Sequence, residues 1–427
     1  MTNSLFRLSA LLSLCTASHA LATPPGEGGA ISLDALASDV IANNPERKYY
    51  ADQIRSAGIA AVAASRPQDP QLSVDFGQRR TYDANTGLRN GDGPAYSVTI
   101  LQPIEFGGRM ALRRAIAQHQ VDLAKIGLQQ FDATLSSRAR ALGYALFAAD
   151  SKADAARAVA TRMRRLAQVV VARDAAGPAP SLEASILESS AITAERSAAS
   201  ADAEANSALY ELNQLRGAPL AAHIRIIKPQ LSLPDLPSSE RLQAAVDADN
   251  FELKSLRGQL EQQGLKVDLA RKSRIPTVAI GPYYEHSSAD DRETRYGVRA
   301  TTTLPLWNSQ AADVANEQVR QEQADATLIE AERRTARQAY DQATQYEAKR
   351  EALARWPADA STRFAAAAEE ADRNFRTGAI PISTYTEMQR QYLDALSAVL
   401  DTRREAMDAL NQLRTLNGGQ PLDGSAQ

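Results

Sequence analysis

The sequence predicts a mainly α-helical fold with a small β part, in which one helix–hairpin–helix unit occurs twice. Three observations predict this fold: long stretches of helix formers with very few prolines, short alternating β-type runs, and the same order of both in each half. Aromatic residues make up only 5 % of the 427 residues, which is low for an enzyme with a large core. The excess of Ala, Leu, Gln, Arg and Glu is typical of long packed helices.

The net charge is small, with 48 Lys and Arg against 51 Asp and Glu, for a formal charge of −3. A general affinity for polyanions or polycations is therefore not expected. The composition gives no reason to expect nucleic acid as a partner.

The N-terminus has the pattern of a secretory signal peptide over residues 1–22. Arg7 supplies the positive region, Leu8–Ala17 the apolar region, and Ala20–Ala22 a small-x-small cleavage site. An N-terminal anchor helix is the alternative, but the apolar run is well short of the ~20 residues that a span needs. Cys15, the one cysteine, lies inside this segment and follows a leucine where a lipoprotein acceptor follows a small residue. We therefore expect a mature chain without disulfides, and lipid anchoring stays open.

The first repeat is expected at 23–228. We expect it to contain a helix that begins at a Ser32 cap and breaks at Asn44-Pro45, a β-hairpin (71–102), a long helix (108–173) and a return helix (181–216). We expect the polar stretch Arg79–Ala95 to form the loop of this hairpin, and the turn formers Asn90–Pro94 lie inside it.

After a proline-rich connector (229–237), the same order starts again. The second repeat (238–417) is expected to contain a helix, a β-hairpin (277–303), a long helix (308–376) and a return helix (382–416), with a disordered tail at 418–427. The pentapeptide Leu-Asn-Gln-Leu-Arg occurs at 212–216 and at 410–414, which supports an internal duplication.

The first long helix carries apolar residues every seven positions, from Val121 through Leu128 and Leu135 to Leu142. This spacing indicates a seam of closely packed helices. At 1.5 Å per residue, a helix of ~65 residues is roughly 100 Å long. The short first helix and the return helix together match that length, so we expect them to stack end to end beside it.

The predicted strands alternate between apolar and polar residues, as in Leu72, Val74 and Phe76 against Ser73 and Asp75. At roughly 8–10 residues, each strand has the length that a tilted membrane strand needs. Four strands cannot close a membrane barrel, and open edges are not tolerated in lipid, so several chains would have to pool their strands. The alternative is a pair of exposed hairpins on a soluble helical protein.

Three stretches have a distinctive form: Gln102–Arg109 (QPIEFGGR), Leu304–Asn308 (LPLWN) and Phe375–Glu387 (FRTGAIPISTYTE). In these stretches and in the duplicated order of helix, hairpin and helix, the chain resembles the outer-membrane efflux protein (TolC-like) family over essentially its mature length. The form of the first stretch is similar to the branch that serves heavy-metal (cobalt–zinc–cadmium type) resistance–nodulation–division (RND) pumps.

The resemblance implies a homotrimer with a twelve-stranded barrel in the outer membrane of a Gram-negative bacterium and an α-helical barrel that extends ~100 Å into the periplasm. It also implies a periplasmic adaptor that contacts the tight turns, and an inner-membrane RND pump. The expected function is an exit duct for heavy-metal cations; drug efflux and type I protein secretion stay as alternatives. A periplasmic coiled-coil adaptor is the alternative from another class.

Five residues near the tight turns are candidates for the periplasmic entrance. Gly177 and Gly378 lie where the chain must reverse. Glu387 and Glu183 follow these glycines, and a ring of carboxylates at a narrow mouth would favour cations. Arg376 is a candidate for bridging neighbouring helices. The alternative for each charged residue is an ordinary solvated position on a helix.

Four residues mark the expected joint between barrel and duct: Pro103, Gly107, Gly108 and Pro305. Each proline follows a β-type run and precedes a long helix. The pattern shows neither a nucleophile–base pair nor a set of metal ligands, and the histidines are scattered singly, so we expect neither enzymatic activity nor a cofactor.

Overall fold

The structure is a computed structural model, and it describes residues 30–173, 178–230, 232–289, 291–304, 310–357 and 359–422, without the side chains at 171–173 and 178–181. The predicted signal peptide (1–22), Gly177 and Pro305 lie outside the described residues.

The described chain is mainly helical, and its first half contains one β-hairpin and two short strands. The elements of this half are β1 (Ala30–Ile31), α1 (Leu33–Asn43), α2 (Arg47–Ala64), β2 (Gln71–Tyr82), β3 (Arg89–Ile104), α3 (Arg109–Arg173), α4 (Pro178–Leu215) and β4 (Arg225–Ile226). The hairpin is formed by β2 and β3, and the short strands are β1 and β4. No helix in the described part of the chain is both long enough and apolar enough to cross a bilayer.

The second half repeats this order. Its elements are α5 (Ser239–Asp249), α6 (Phe251–Lys272), β5 (Val278–Ser288), β6 (Arg292–Thr302), α7 (Gln310–Arg355), α8 (Ala360–Arg376) and α9 (Ile382–Leu416). The return helix α4 begins three residues before its predicted start at 181, and β1 and β4, which pair in parallel, were not predicted.

Both halves begin with a helix that a serine caps. The Ser32 hydroxyl accepts a hydrogen bond from the backbone N of Ala35 at 3.3 Å, which confirms the predicted cap. The Ser238 hydroxyl accepts one from the backbone N of Arg241 at 3.5 Å. Each cap satisfies a backbone N–H that has no partner within its helix.

A buried asparagine then joins this short helix to the next one in each half. Asn44 donates from Nδ2 to the carbonyl of Leu215 at 2.8 Å, and Asn250 donates to the carbonyl of Leu416 at 2.9 Å. The Oδ1 atom of each asparagine accepts a backbone N–H at or just before the start of the following helix. The asparagine therefore connects the end of the return helix to the helix stacked on it, so that both lie along the long helix.

The two return helices end with the same sequence pattern, Ala-x-x-Ala-Leu-x-x-Leu-x-x-Leu-x-Gly, which begins at Ala205 and at Ala406; its two alanines and its first two leucines are buried in both halves. In this register, equivalent positions are 201 residues apart, as are Gly217 and Gly418, which both have positive φ (64° and 63°). The pentapeptide shared by 212–216 and 410–414 is 198 residues apart, so it does not mark equivalent positions.

The second long helix differs from the first. Whereas α3 is continuous over 65 residues, α7 ends at Arg355 and α8 begins at Ala360. Pro357 accounts for the interruption, because proline has no N–H to donate and its ring clashes with the preceding turn. The prediction of one helix over 308–376 is therefore wrong at this point.

The C-terminal tail is partly packed. Leu422 is 3 % exposed and belongs to a buried cluster with Leu242, Val246 and Tyr346. The prediction that 418–427 is disordered is wrong for 418–422, and the remaining residues lie outside the described ranges.

The strands β2, β3, β5 and β6 form one antiparallel sheet in that order. The two hairpins are thus joined side by side, with Val98 on β3 opposite Tyr284 on β5. The strands are 11 to 16 residues long, longer than the predicted 8–10.

The turn of the first hairpin lies inside the predicted loop Arg79–Ala95, but the loop is shorter than predicted because both strands extend into it. The turn lies at Asp83–Leu88, where the Asp83 carboxylate accepts hydrogen bonds from the backbone N atoms of Asn85 and Thr86, both at 2.8 Å, and Gly87 has a φ of 68°. Asn90–Pro94, where the turn formers cluster, lies within β3. Pairing with β2 thus overrides the local turn propensity of this segment.

The sheet has one apolar and one polar face. The apolar face carries Leu72, Val74, Phe76, Tyr96, Val98, Ile100, Ile280, Tyr284, Tyr296 and Val298. All of these side chains except the half-buried Val98 are exposed in the single chain, Phe76 by 83 % and Tyr296 by 81 %. Exposed apolar surface of this extent indicates a contact with lipid or protein.

The sheet curls toward its polar face. Arg79 on β2 contacts Glu293 on β6 at 2.7 Å, although three strand spacings amount to about 14 Å in a flat sheet. Arg299 on β6 reaches Thr99 on β3 at 3.1 Å on the same face. The polar face is therefore concave and the apolar face convex.

Candidate functional site

The first candidate region is the junction of β3 with α3. Pro103 lies in β3 opposite Ala279, one residue before the strand ends. Gly107 and Gly108 follow, with φ angles of 76° and 75°, a conformation that glycine adopts without steric cost. A Cβ on Gly107 would lie 2.7 Å from Cδ1 of Ile275, so a side chain at this position would also clash with the second half of the chain.

Polar contacts hold this junction together. The Arg109 side chain is buried and donates a hydrogen bond to the hydroxyl of Thr277, next to the start of β5. The carboxylate of Glu105, 10 % exposed, pairs with Arg113 at 2.6 Å and accepts from Gln68. The structure thus places Pro103, Gly107 and Gly108 where the sheet changes to helix and where the two halves meet.

The second candidate region is the turn between α8 and α9. Gly378 has a φ of 77°, its backbone N donates to the carbonyl of Phe375 at 3.0 Å, and the backbone N of Ala379 donates to the carbonyl of Asn374 at 2.8 Å. These two bonds form a Schellman motif, which satisfies carbonyls at the end of α8. The predicted reversal at Gly378 is therefore confirmed, and its physical basis is the left-handed glycine.

An aromatic pair packs beneath this turn. The ring of Phe375 stacks on that of Tyr385 with centroids 5.1 Å apart, and Tyr385 is fully buried. The Tyr385 hydroxyl lies near the Asp372 carboxylate without a hydrogen bond of good geometry. Burial raises the pKa of Tyr385 and the Asp372 charge raises it further, so this hydroxyl stays protonated.

Charged residues near the turn have partners on their own helices. Arg376 pairs with Asp372 at 2.9 Å within α8, not with a neighbouring helix of the described chain. Glu387 accepts hydrogen bonds from Arg390 at 2.6 Å and 3.0 Å and from Gln391 at 2.8 Å. Hydrogen bonding by Arg390, then by Gln391, lowers the pKa of Glu387, so its carboxylate stays charged in mild acid.

Glu183 lies at the same end of the molecule as Glu387. Its neighbour Ala184 and the nearby Leu187 belong to a buried cluster that also contains Tyr385. The parts of α3, α4, α8 and α9 that lie near the turns therefore pack together. In the 201-residue register, however, Glu183 corresponds to position 384, so the two glutamates are not equivalent.

Sequence reasoning missed the residues that pack this end of the molecule. Tyr385, Asp372 and the buried Gln389, which donates to the carbonyl of Ala368 at 2.7 Å, lie among ordinary helix formers. In the described part of the chain, no three His, Cys, Asp or Glu side chains come together in a group that could hold a metal ion.

No protein-family profile matches the sequence, and no curated protein matches it. Solved structures do match. The CmeC outer membrane channel of Campylobacter jejuni superposes with a TM-score of 0.74 at 14 % identity, over 100 % of this chain and 96 % of that chain.

Two further matches have the same fold. CusC, a protein that forms a transmembrane channel, gives a TM-score of 0.72 at 13 % identity, over 91 % of this chain and 92 % of that chain. The outer membrane protein VceC of Vibrio cholerae gives 0.69 at 15 % identity, over 90 % of this chain and 96 % of that chain. At these identities the likeness shows the fold, which this chain shares with solved outer-membrane channels.

Proposed function

We propose that this chain is the outer-membrane exit duct of a tripartite RND-type efflux system. Three copies pool their sheets into a twelve-stranded barrel, and their long helices form an α-helical barrel in the periplasm. The partners are a periplasmic adaptor and an inner-membrane RND pump, and the substrates are heavy-metal cations.

The observation that carries this proposal is the curled four-stranded sheet. Its convex face is apolar and exposed, whereas its concave face carries Asp75, Thr99, Glu285 and Arg299, among others. An apolar outside and a polar inside are the pattern of a membrane barrel with a wet lumen. The sheet leaves β2 and β6 as open edges, and lipid does not tolerate open edges, so chains must close the ring together.

The joint and the turn then receive distinct roles. Pro103, Gly107 and Gly108, with Pro305 outside the described residues, mark the change from barrel to duct. At the other end, Gly378 lies in one turn of the proposed periplasmic mouth, and Gly177, outside the described residues, is assigned to the other turn. The adaptor makes contact at these turns. Glu387 and Glu183 supply negative charge at this mouth, which attracts cations.

Heavy-metal cations are proposed from the resemblance of Gln102–Arg109 to the heavy-metal branch. Drug efflux and type I protein secretion use ducts of the same fold class and are the alternatives for the substrate. A duct needs no tight metal site, because tight binding would slow release.

A strain that lacks the gene tests both levels of the proposal. It is challenged with zinc, cobalt, cadmium and copper salts and with a drug panel, and the wild-type gene is returned as the control. We expect increased sensitivity to the metals alone. Sensitivity to drugs alone would refute the metal assignment but leave the duct, whereas unchanged sensitivity together with normal export of large proteins would refute the efflux role.

A periplasmic adaptor is the candidate from another class, since adaptors also contain long antiparallel helices. The described strands favour the duct over it, because an adaptor needs a compact β-domain with its own core. Here the long strands form one sheet whose apolar face is exposed in the single chain.

A further inference from the structure

A cluster of charged side chains lies on the concave face near the two hairpin turns, at the end of the sheet farthest from the helices. Nη1 of Arg79 contacts Oε2 of Glu293 at 2.7 Å, Oγ of Ser287 at 3.0 Å and Oδ1 of Asp291 at 3.7 Å. Oε1 of Glu293 contacts Nη2 of Arg295 at 2.5 Å. The side chains of Arg79 and Glu293 are 30 % and 33 % exposed even in the single chain.

Small residues give Arg79 its path across the sheet. Its partner on β3 is Gly93, and Ala95 is the next residue of β3 on the same face. A Cβ on Gly93 would lie 1.4 Å from the carbonyl oxygen of Ser288, so only glycine fits there. Because neither neighbour carries a large side chain, the guanidinium passes over β3 and β5 to reach β6.

The Arg79–Glu293 pair therefore joins the first and the last strand of the sheet across its concave side. The sequence does not predict this pair, because the two residues are 214 positions apart and no local pattern connects them.

We propose that Arg79, Glu293 and Arg295 form an electrostatic constriction at the outer end of the lumen, through which solutes pass last. This inference rests on the proposed function, since only a closed barrel turns the concave face into a lumen. A side-chain bridge that crosses the face occupies more of the lumen than side chains that follow the wall. Its strength depends on ionic strength, because both partners are partly exposed to solvent.

The full-length protein in a planar lipid bilayer tests the constriction. Glu293→Gln removes the charge but keeps the size of the side chain. At ~0.1 M salt we expect the single-channel conductance to rise roughly two- to fivefold over wild type, the factor that corresponds to an interaction of about 0.4–1 kcal/mol, within the range for an exposed ion pair. At ~1 M salt, where the Debye length is about 3 Å, the ratio should fall to about one because the wild-type pair is screened as well.

Two further variants separate the ion pair from a general effect of mutation. Arg79→Gln should raise the conductance at low salt, and the double variant should exceed the larger single effect only slightly, because both remove the same interaction. Arg80→Gln is the matched control: Arg80 is the next residue of β2, faces the convex side and pairs with Asp92 at 3.6 Å. It should leave the conductance unchanged.

An unchanged conductance in Glu293→Gln, or a ratio that is the same at both salt concentrations, would overturn the constriction but leave the channel. Failure of the wild-type protein to form any channel would instead refute the proposed function and this inference with it.

Discussion

The two halves of the chain keep the same helix ends but differ in the helices between those ends. Ser32 and Ser238 cap the first helix of each half, and Asn44 and Asn250 make the same connection to the return helix. In contrast, α3 is continuous whereas Pro357 divides its counterpart into α7 and α8. The fold thus depends on where helices stop and stack, and it tolerates a break along the long helix.

The turn ends of the halves differ in how they are packed. In the 201-residue register, the fully buried Tyr385 of the second half corresponds to Ala184 of the first half, which is 5 % exposed. The second turn therefore contains a large aromatic core with Phe375, and the first return helix packs an alanine at the equivalent place. We therefore expect the pair of helices α8 and α9 to determine how the turn end of the molecule is packed.

The largest expected effect is on this aromatic core. Tyr385→Ala should lower the free energy of unfolding by about 3–5 kcal/mol, because it removes a fully buried ring and leaves a cavity. Tyr385→Phe should change it by less than about 1 kcal/mol, because the hydroxyl has no hydrogen bond to lose. Thermal unfolding followed by circular dichroism checks both. Equal losses for the two variants would mean that the hydroxyl, and not the ring, stabilises the turn.

The next effect concerns the feature that the halves share. Asn44→Ala and Asn250→Ala each remove two hydrogen bonds of a buried side chain, so each should cost about 2 kcal/mol. Asn43→Ala is the control, because Asn43 is exposed and its side chain bonds only to Asp39 within α1. A loss in only one of the two variants would show that the halves are not equivalent at this position.

Substitution of the glycines that follow the return helices should lower the free energy of unfolding by unequal amounts in the two halves. Gly217→Ala should cost about 1–2 kcal/mol, the cost of a left-handed conformation for an L-residue. Gly418→Ala should cost more, because its Cβ would lie 2.4 Å from the carbonyl oxygen of Asp249, against 3.3 Å between the Cβ at 217 and the carbonyl of Asn43. The same unfolding measurement should rank the two in this order, and the reverse order would contradict the geometry.

The smallest effect is on ion preference at the mouth. Glu387→Ala removes one of the two carboxylates that pair with Arg390, the other being Asp394, so the cation-to-anion permeability ratio in bilayers should fall by roughly twofold. Because hydrogen bonds lower the pKa of Glu387, the wild-type preference should persist to a lower pH than an unpaired glutamate would allow. Glu183→Ala is the companion variant at a non-equivalent position. Unchanged selectivity in Glu387→Ala would remove this residue from the mouth.

Local signals in the sequence were sufficient for much of the fold. The Ser32 cap, the break at Asn44-Pro45 and the reversal at Gly378 depend on a few neighbouring residues, and the structure shows each of them. The break at Pro357 also has a local signal, which is the proline itself. The pairs of long helices were predicted from the length of the stretches of helix formers and from the near absence of proline within them.

Non-local features could not be predicted. The turn of the first hairpin lies at Asp83–Leu88 because strand pairing with β2 holds Asn90–Pro94 in β3. The packing of Leu422 against the second half and the contact of Arg79 with Glu293 both join distant parts of the chain. The burial of the return helices gives a register of 201 residues, which is also the sequence offset between Gly177 and Gly378.

Whether three copies close one barrel in the outer membrane is tested most directly by cell fractionation followed by native mass spectrometry of the detergent-solubilised protein. We predict recovery in the outer-membrane fraction as a trimer. Recovery as a soluble periplasmic monomer would contradict the duct and favour the adaptor instead.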